Sequence, residues 1–359
     1  MNSISATIER ALSAAGLDVR APALAKATAT IRHALAAAGL GSAAPGWARR
    51  MVDPASADVS PFPGSERDTD AHADASGRFT TRSHTIGTNR RDYKLYVPAS
   101  AGDRPMPLIV MLHGCRQDPD DFARGTRMNE LAERHGFLVA YPAQTARANG
   151  ANCWNWFEAG EQSREGIEAS LIAGIVAEIG TLHPVDPRRV FVAGLSAGAA
   201  MAVILGAMYP ERFTAVGVHS GLPLGTAHDV GSAFAAMRGA GAPASAKHPA
   251  RGVPTIVFHG DADTTVAPVN GTAVVRQVRE AFEADPRTPL VKTTSPREAL
   301  AGRALTRTRY LDDAGRARIE HWVLHGAPHA WSGGSAAGSF TDPAGPDASA
   351  EFVRFFLAQ

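Results

Sequence analysis

The sequence has little of several features that mark large protein classes. Only 2 of its 359 residues are cysteine, and neither HExxH nor CxxC occurs, so we expect no metal site. Its 36 Lys and Arg residues nearly balance 35 Asp and Glu residues, which leaves no net field to attract nucleic acid. No apolar run approaches the roughly 18 residues of a membrane-spanning helix. The sequence therefore predicts no nucleic-acid partner and no transmembrane segment.

The first residues also lack the pattern of a secretory signal. MNSISATIERALSAAGL interrupts its apolar residues with Glu9 and Arg10, which the core of a signal peptide avoids. The apolar stretch from Ala34 to Ala48 is broken by glycines and a proline, and it begins far along the chain. A cytoplasmic protein is the expectation from this pattern, and an exported protein is the alternative.

Composition divides the chain into three predicted parts. Residues 1–52 hold a short repeat, IERALSAAGL at 8–17 and IRHALAAAGL at 31–40, which predicts two amphipathic helices. These helices would pack on each other or on the main domain, or alternatively form a module for an apolar surface or a partner. Residues 53–78 are rich in Pro, Ser, Asp and Gly, as is typical of a flexible linker. Residues 79–359 are predicted to form the main domain.

Strands and helices alternate in this predicted main domain. PLIVMLHG, RRVFVAG and PTIVFHG are apolar runs that suit strands buried on both faces, and IEASLIAGIVAEIGTLH is a periodic helix. This alternation predicts an α/β fold with a mostly parallel central sheet and helices on both faces. In such sheets the chemistry lies in the loops beyond the carboxyl ends of the strands.

The sequence GLSAG follows one of these strands and precedes an Ala-rich helix. A serine between glycines on a strand-to-helix turn fits a nucleophile elbow, in which a strained turn projects the serine oxygen from the sheet. The N–H groups at the helix start, among them that of Ala197, would point where an oxyanion forms. We therefore predict Ser196 as a nucleophile, with a structural N-cap serine as the alternative.

A nucleophilic serine needs a base and an acid that orients the base, expected here in the order Ser, Asp or Glu, His. The strand PTIVFHG ends in GDADTTV, which offers Asp261 and Asp263, although Asp261 could simply bond its own turn. The strand RIEHWVLHG is followed by GAPHAW, which places His329 on a loop free to reach over the sheet. His321 and His325 belong to the strand itself and are expected to pack.

A second oxyanion donor normally comes from the loop after the strand that precedes the first helix. That loop begins in LHGCRQ, where Gly114 allows the backbone to turn. The N–H of Cys115 or of Arg116 can then meet that of Ala197 at the anion. His113 has the alternative role of bonding the carbonyl groups of this loop.

Five motifs in order, LHGCRQ, NCWNWF, GLSAG, HGDADTTV and GAPHAWSGG, resemble the polyhydroxybutyrate depolymerase-type esterases over about residues 82–357. That group of α/β-hydrolases has feruloyl and acetylxylan esterases as relatives. The resemblance implies a serine carboxylesterase without cofactor, with Ser196 as nucleophile, His329 as base and Asp263 as the orienting acid. With no polymer-binding tail in view, the chain looks more like the intracellular short-chain polyhydroxyalkanoate depolymerases.

The resemblance also suggests a disulfide between Cys115 and Cys153, which would hold the NCWNWF loop beside the nucleophile. Trp154 and Trp156 would then line the acyl-binding cleft, with Gln117 as a further substrate contact. The alternative is that at least one indole packs inward as part of the core.

The expected substrate is short-chain polyhydroxyalkanoate or its oligomers, with a granule surface as a candidate partner. A feruloyl or acetylxylan-type esterase is the alternative within the same chemistry, because the two indoles could equally hold a phenyl ring. A non-catalytic granule-associated binding protein on the same fold is the alternative of another class.

Overall fold

A computed structural model describes residues 77–240 and 251–359. The helical repeat at 8–17 and 31–40 and nearly all of the predicted linker lie outside the described residues. Among the helices of the described ranges, none is long and apolar enough to cross a bilayer.

Strands and helices alternate along the described chain. The strands are β1 (Arg78–Ile86), β2 (Asn89–Val97), β3 (Met106–Leu112), β4 (Leu138–Pro142), β5 (Val185–Leu195), β6 (Ala215–His219), β7 (Thr255–Gly260), β8 (Val291–Thr294), β9 (Glu298–Leu300), β10 (Arg303–Leu311), β11 (Ala317–Leu324), β12 (Trp331–Ser332) and β13 (Thr341–Asp342). The helices are α1 (Pro119–Thr126), α2 (Met128–His135), α3 (Ile167–Leu182), α4 (Ala197–Met208), α5 (Val230–Met237), α6 (Val269–Glu283) and α7 (Ala348–Leu357).

One sheet dominates the part of the chain that the structure describes, with the strand order β1-β2-β4-β3-β5-β6-β7-β11-β10-β8 and β9 beside β10. Its central strands β4, β3, β5, β6, β7 and β11 run parallel, and the strands at both edges pair antiparallel. Strands β3, β4, β6 and β7 are buried along their whole length, as expected for strands covered on both faces. The predicted α/β fold with a mostly parallel sheet is confirmed.

Two apolar cores lie on the two faces of this sheet. Successive residues of β3 alternate between them: Leu108 and Val110 belong to one core, and Ile109 and Met111 to the other. Residues of α3, α4 and α6 complete the first core, and residues of α1, α2 and α7 complete the second. Because helices cover both faces, functional side chains are expected in the loops at the carboxyl ends of the parallel strands.

Candidate active site

Ser196 lies at the turn between β5 and α4. Its backbone has φ 57° and ψ −120°, a strained conformation that residues other than glycine seldom adopt. The N–H of Ser196 donates to the carbonyl oxygen of His219 at 2.9 Å, which ties the turn to the end of β6. The start of α4 approaches the end of β3 so closely that a Cβ at Gly198 would lie 2.1 Å from the carbonyl oxygen of Leu112. The second glycine of GLSAG is therefore a steric requirement of this turn.

Asp263 and His329 form a pair in the loops at the carboxyl ends of the parallel strands, where Ser196 also lies. They follow the neighbouring parallel strands β7 and β11, and Nδ1 of His329 lies 2.7 Å from Oδ2 of Asp263. The other carboxylate oxygen accepts the backbone N–H groups of Thr265 at 2.9 Å and Val266 at 2.8 Å. Both oxygens of Asp263 are thus engaged, which sets the orientation of the carboxylate.

The protonation of this pair follows from its surroundings. Burial acts to raise the pKa of Asp263, but the interactions with His329, together with the Val266 N–H and His259, outweigh it, so the pKa lies below its usual value. An ionised carboxylate only accepts hydrogen bonds, so Nδ1 of His329 carries a hydrogen and donates it. In the neutral form of the ring the other nitrogen, Nε2, then has a lone pair and can take a proton.

A second histidine–carboxylate pair lies beside the first. Nδ1 of His325 is 2.8 Å from Oδ2 of Asp261, and its Nε2 is 2.9 Å from the hydroxyl of Thr306. Asp261 also accepts the N–H of Gly326 at 2.6 Å, so it bonds the loop after β11 rather than its own turn. Because both ring nitrogens of His325 have partners, this histidine has none left for a serine.

The loop after β3 brings backbone donors to Ser196. A Cβ at Gly114 would lie 3.6 Å from Cβ of Ser196, so the loop and the elbow are in contact. The N–H of Gly114 donates to Oε1 of Gln117 at 2.9 Å, and the N–H of Arg116 donates to the carbonyl oxygen of Ala151 at 2.8 Å. The N–H of Cys115 has no hydrogen-bond partner within the described ranges, which leaves it, of the two candidates, for an incoming oxyanion.

Gln117, which was predicted as a substrate contact, is held by hydrogen bonds within the protein. Its side chain is buried, and all of its polar atoms have partners. Its amide N–H₂ donates to Oδ2 of Asp121 at 2.9 Å and to the carbonyl oxygen of Ser339 at 3.0 Å, while its oxygen accepts from Gly114. Gln117 therefore braces the loop from behind.

The two indoles of NCWNWF lie in the core rather than on an open cleft. Trp154 has no exposed surface, and its Nε1–H donates to the carbonyl oxygen of His113 at 3.1 Å. Trp156 is 6% exposed and packs edge-on against the ring of Phe157. The prediction that both line the cleft is wrong for Trp154, because satisfying its N–H and burying its ring against the core favour the inward position.

A disulfide joins Cys115 to Cys153, with a Cα–Cα distance of 4.2 Å. The bridge connects the loop that follows β3 to the NCWNWF loop, as the family resemblance implied. The backbone that carries the N–H of Cys115 is thereby covalently attached to a segment that contains the buried ring of Trp154.

Removal of this disulfide should be measurable as a loss of stability. The bridge spans a sequence separation of 38 residues, so Cys153→Ser is expected to lower the free energy of unfolding by about 4 kcal/mol before strain is subtracted. Urea unfolding of the variant and of the oxidised wild type measures the difference. Peptide mapping of the purified wild type without reductant is expected to recover Cys115 and Cys153 in one linked pair. Two alkylatable thiols in that sample would contradict the prediction.

Two buried histidines support the backbone around Ser196. Nδ1 of His113 donates to the carbonyl oxygen of Gly114 at 2.8 Å, while its Nε2 accepts the N–H of Gln144 at 3.1 Å. The ring of His219 stacks on Trp331, and burial lowers the pKa of His219 to about 3. Burial lowers the pKa of His113 as well, so both rings are neutral near neutral pH. The bond from His113 to the Gly114 carbonyl matches the alternative role that the sequence suggested for this residue.

Several residues with strained backbone conformations lie in the loops around Ser196. Of the seven non-glycine residues with positive φ in the described ranges, four lie in the turn of Ser196 or in loops next to it: Arg116, Asn152, Ser196 and Ser220. Such conformations persist only where the surrounding structure imposes them, and they cluster at functional sites. Their distribution supports this loop cluster as the active site.

Gln144, Glu168 and Arg91 are supporting residues that sequence reasoning missed. Gln144 follows β4, and Glu168 lies in the first turn of the apolar helix α3, where it is buried. The sequence does show Glu168 as a charged residue on an otherwise apolar helix. It does not show that Gln144 and Arg91, which belong to other segments, lie beside it.

Comparison with known proteins identifies what this arrangement is similar to. The family model for esterase PHB depolymerases matches residues 91–283, more than half of the chain. The chain is 34% identical to poly(3-hydroxyalkanoate) depolymerase C of Paucimonas lemoignei, covering 60% of this chain and 54% of that protein. It is 29% identical to the poly(3-hydroxybutyrate) depolymerase of Ralstonia pickettii, over 69% of this chain and 53% of that protein.

More distant matches are esterases that are named for other substrates. A probable acetylxylan esterase A of Aspergillus fumigatus is 28% identical, over 49% of this chain and 51% of that protein. The solved acetyl xylan esterase from Aspergillus awamori has a TM-score of 0.59 at 20% identity, covering 78% of this chain and 100% of that one. This likeness shows the α/β-hydrolase fold. The chain spans about half the length of the curated relatives it matches.

Proposed function

Because the chain belongs to the esterase PHB depolymerase family, we propose that it hydrolyses short-chain polyhydroxyalkanoate or its oligomers through an acyl-enzyme intermediate. The family is one of ester hydrolases, and the proposal concerns the activity, the substrate and the catalytic residues of this chain. The observation that carries the proposal is that the Asp263–His329 pair and the strained turn of Ser196 both lie at the carboxyl ends of the parallel strands. Hydrolysis of an ester through an acyl-serine intermediate uses a serine, a base and an acid that orients the base.

In the proposed reaction, Oγ of Ser196 attacks the ester carbonyl as Nε2 of His329 takes its proton. The N–H groups of Cys115 and Ala197 stabilise the oxyanion, since neither donates elsewhere within the described residues. The ester bond breaks as His329 gives the proton to the departing alkoxide oxygen, which leaves as an alcohol. A water molecule, deprotonated by His329, then attacks the acyl-serine. The 3-hydroxy acid is released as His329 returns that proton to Oγ of Ser196, while Asp263 holds the ring throughout.

Two observations favour a polyester over a feruloyl ester. The depolymerase relatives match over 60% and 69% of this chain, whereas the feruloyl esterase B of Neurospora crassa matches over 38%. Of the two indoles that could have held a phenyl ring, Trp154 is fully buried and has no exposed face for one. An acetylxylan-type esterase stays the second candidate, because proteins of that name match this chain in both sequence and fold.

The substrate is tested by comparing product release from three esters. We expect 3-hydroxybutyrate release from amorphous poly(3-hydroxybutyrate) granules, at a rate about tenfold or more above ferulate release from methyl ferulate. Acetate release from acetylated xylan is measured in parallel, and the Ser196→Ala protein gives the background for each substrate. Ferulate or acetate release without any 3-hydroxybutyrate from granules would reject the polyester as substrate.

A further inference from the structure

Glu168 is a buried carboxylate that the proposed mechanism does not use. It lies in the first turn of α3 with 2% of its surface exposed. Its oxygens accept the backbone and side-chain N–H groups of Asn155, each at 2.8 Å, and a hydrogen bond from Nε2 of Gln144. The guanidinium of Arg91 lies 3.9 Å away. Removing a carboxylate from water is costly, so this position requires the several partners that surround it.

One set of these contacts leads directly to the loop after β3. Glu168 holds the side chain of Gln144, whose backbone N–H donates to Nε2 of His113 at 3.1 Å. His113 in turn donates from Nδ1 to the carbonyl oxygen of Gly114 at 2.8 Å. That carbonyl belongs to the same peptide group as the N–H of Cys115, so the orientation of this N–H follows from these bonds.

A second set of contacts reaches the same loop through NCWNWF. Asn155, held by Glu168, adjoins Trp154, whose indole N–H donates to the carbonyl oxygen of His113 at 3.1 Å. Nε2 of Gln144 also donates to the carbonyl oxygen of Cys153 at 2.9 Å, and Cys153 is the disulfide partner of Cys115. Both sets therefore start at the one buried carboxylate and end on either side of Gly114.

We propose that Glu168 is a positioning residue that aims the N–H of Cys115 at the oxyanion. This inference rests on the proposed role of Ser196. Oxyanion donors act only when they lie within hydrogen-bond distance of the developing charge, so a small displacement of this loop reduces the rate. A carboxylate suits the position because it accepts from three donors at once, which a glutamine amide, with one acceptor oxygen, cannot do.

Glu168→Gln tests the inference, with Glu178→Gln as a matched control. Glu178 lies on the same helix, about 15 Å along its axis, and accepts from His84 at 2.6 Å and from the hydroxyl of Tyr93 at 2.8 Å. On p-nitrophenyl butyrate, Glu168→Gln is expected to lower kcat by about 10- to 100-fold, with KM changed by no more than about twofold. Glu178→Gln is expected to retain the wild-type kcat.

A second readout separates donor geometry from a general loss of structure. The rate of inactivation by a p-nitrophenyl alkylphosphonate, whose tetrahedral oxygen occupies the oxyanion position, should fall by a similar factor in Glu168→Gln and not in Glu178→Gln. If Glu168→Gln does not fold, Asn155→Ala removes one donor to the carboxylate and should lower kcat in the same direction by about threefold to tenfold.

The outcomes distinguish this inference from the proposed function. A wild-type kcat and inactivation rate in Glu168→Gln, or in Asn155→Ala where that variant is used, would overturn the positioning role. An equal loss of kcat in Glu168→Gln and Glu178→Gln would overturn it as well, because the effect would then belong to the helix. In either case a Ser196→Ala protein without activity would still support Ser196 as nucleophile.

Discussion

Ser196→Ala is expected to lower kcat on p-nitrophenyl butyrate by about five to six orders of magnitude. The substitution removes the oxygen that would form the acyl-enzyme, and any residual rate would come from the oxyanion donors and from binding. The side chain of Ser196 makes no capping hydrogen bond to α4, so its loss should leave the fold intact. Steady-state kinetics give kcat, and thermal unfolding checks that the variant is folded.

Ser220 provides a matched control for this experiment. It is a fully buried serine with φ 52°, and it follows β6, the neighbour of β5 in the sheet. Ser220→Ala removes a hydroxyl from a similar backbone conformation without removing the proposed nucleophile, so its kcat should stay within about tenfold of wild type. An unchanged rate in Ser196→Ala would remove Ser196 from its proposed role.

Asp263→Asn is expected to lower kcat by about 10⁴-fold. One oxygen of Asp263 accepts the N–H groups of Thr265 and Val266, and that geometry would orient the asparagine with its oxygen toward them. Its N–H₂ group would then face Nδ1 of His329, which is bonded to Oδ2 in the wild type. Nδ1 would have to accept instead of donate, and the ring proton would move to Nε2, where the mechanism needs a lone pair.

Asp261→Asn is the control for this second prediction. It changes a carboxylate two residues away that bonds His325 and Gly326. Because His325 already bonds Thr306 through its other nitrogen, we expect kcat on p-nitrophenyl butyrate to change little. A severe loss in Asp261→Asn with a mild one in Asp263→Asn would exchange the two assignments.

The sequence by itself was sufficient for the fold class and the family. Apolar runs such as PLIVMLHG became fully buried parallel strands, because a strand covered on both faces has no position for a polar side chain. GLSAG predicted a tight turn between strand and helix, since only glycine permits the close approach seen at Gly198. These are local properties of a few consecutive residues, which is why they are visible without coordinates.

Pairing within the site was decided by the tertiary structure. From the residues alone, Asp261 and Asp263 were both candidate acids, and only the family resemblance favoured Asp263. In the structure each carboxylate bonds a different histidine, His325 or His329, because the turn after β7 directs its two side chains to different parts of the loop after β11. A spacing of two residues does not determine such directions outside a regular strand.

The position of Trp154 shows the same limit most clearly. Its type and its neighbours suggested a cleft wall, yet the ring is buried beneath the loop that carries Cys115. The guanidinium of Arg91, which comes from β2 far earlier in the chain, lies over this indole at 5.6 Å. Burial of an indole depends on which polar partners the fold brings to it, and here those partners, Arg91 and the carbonyl oxygen of His113, reach the ring only when β2 and the loop after β3 pack against it.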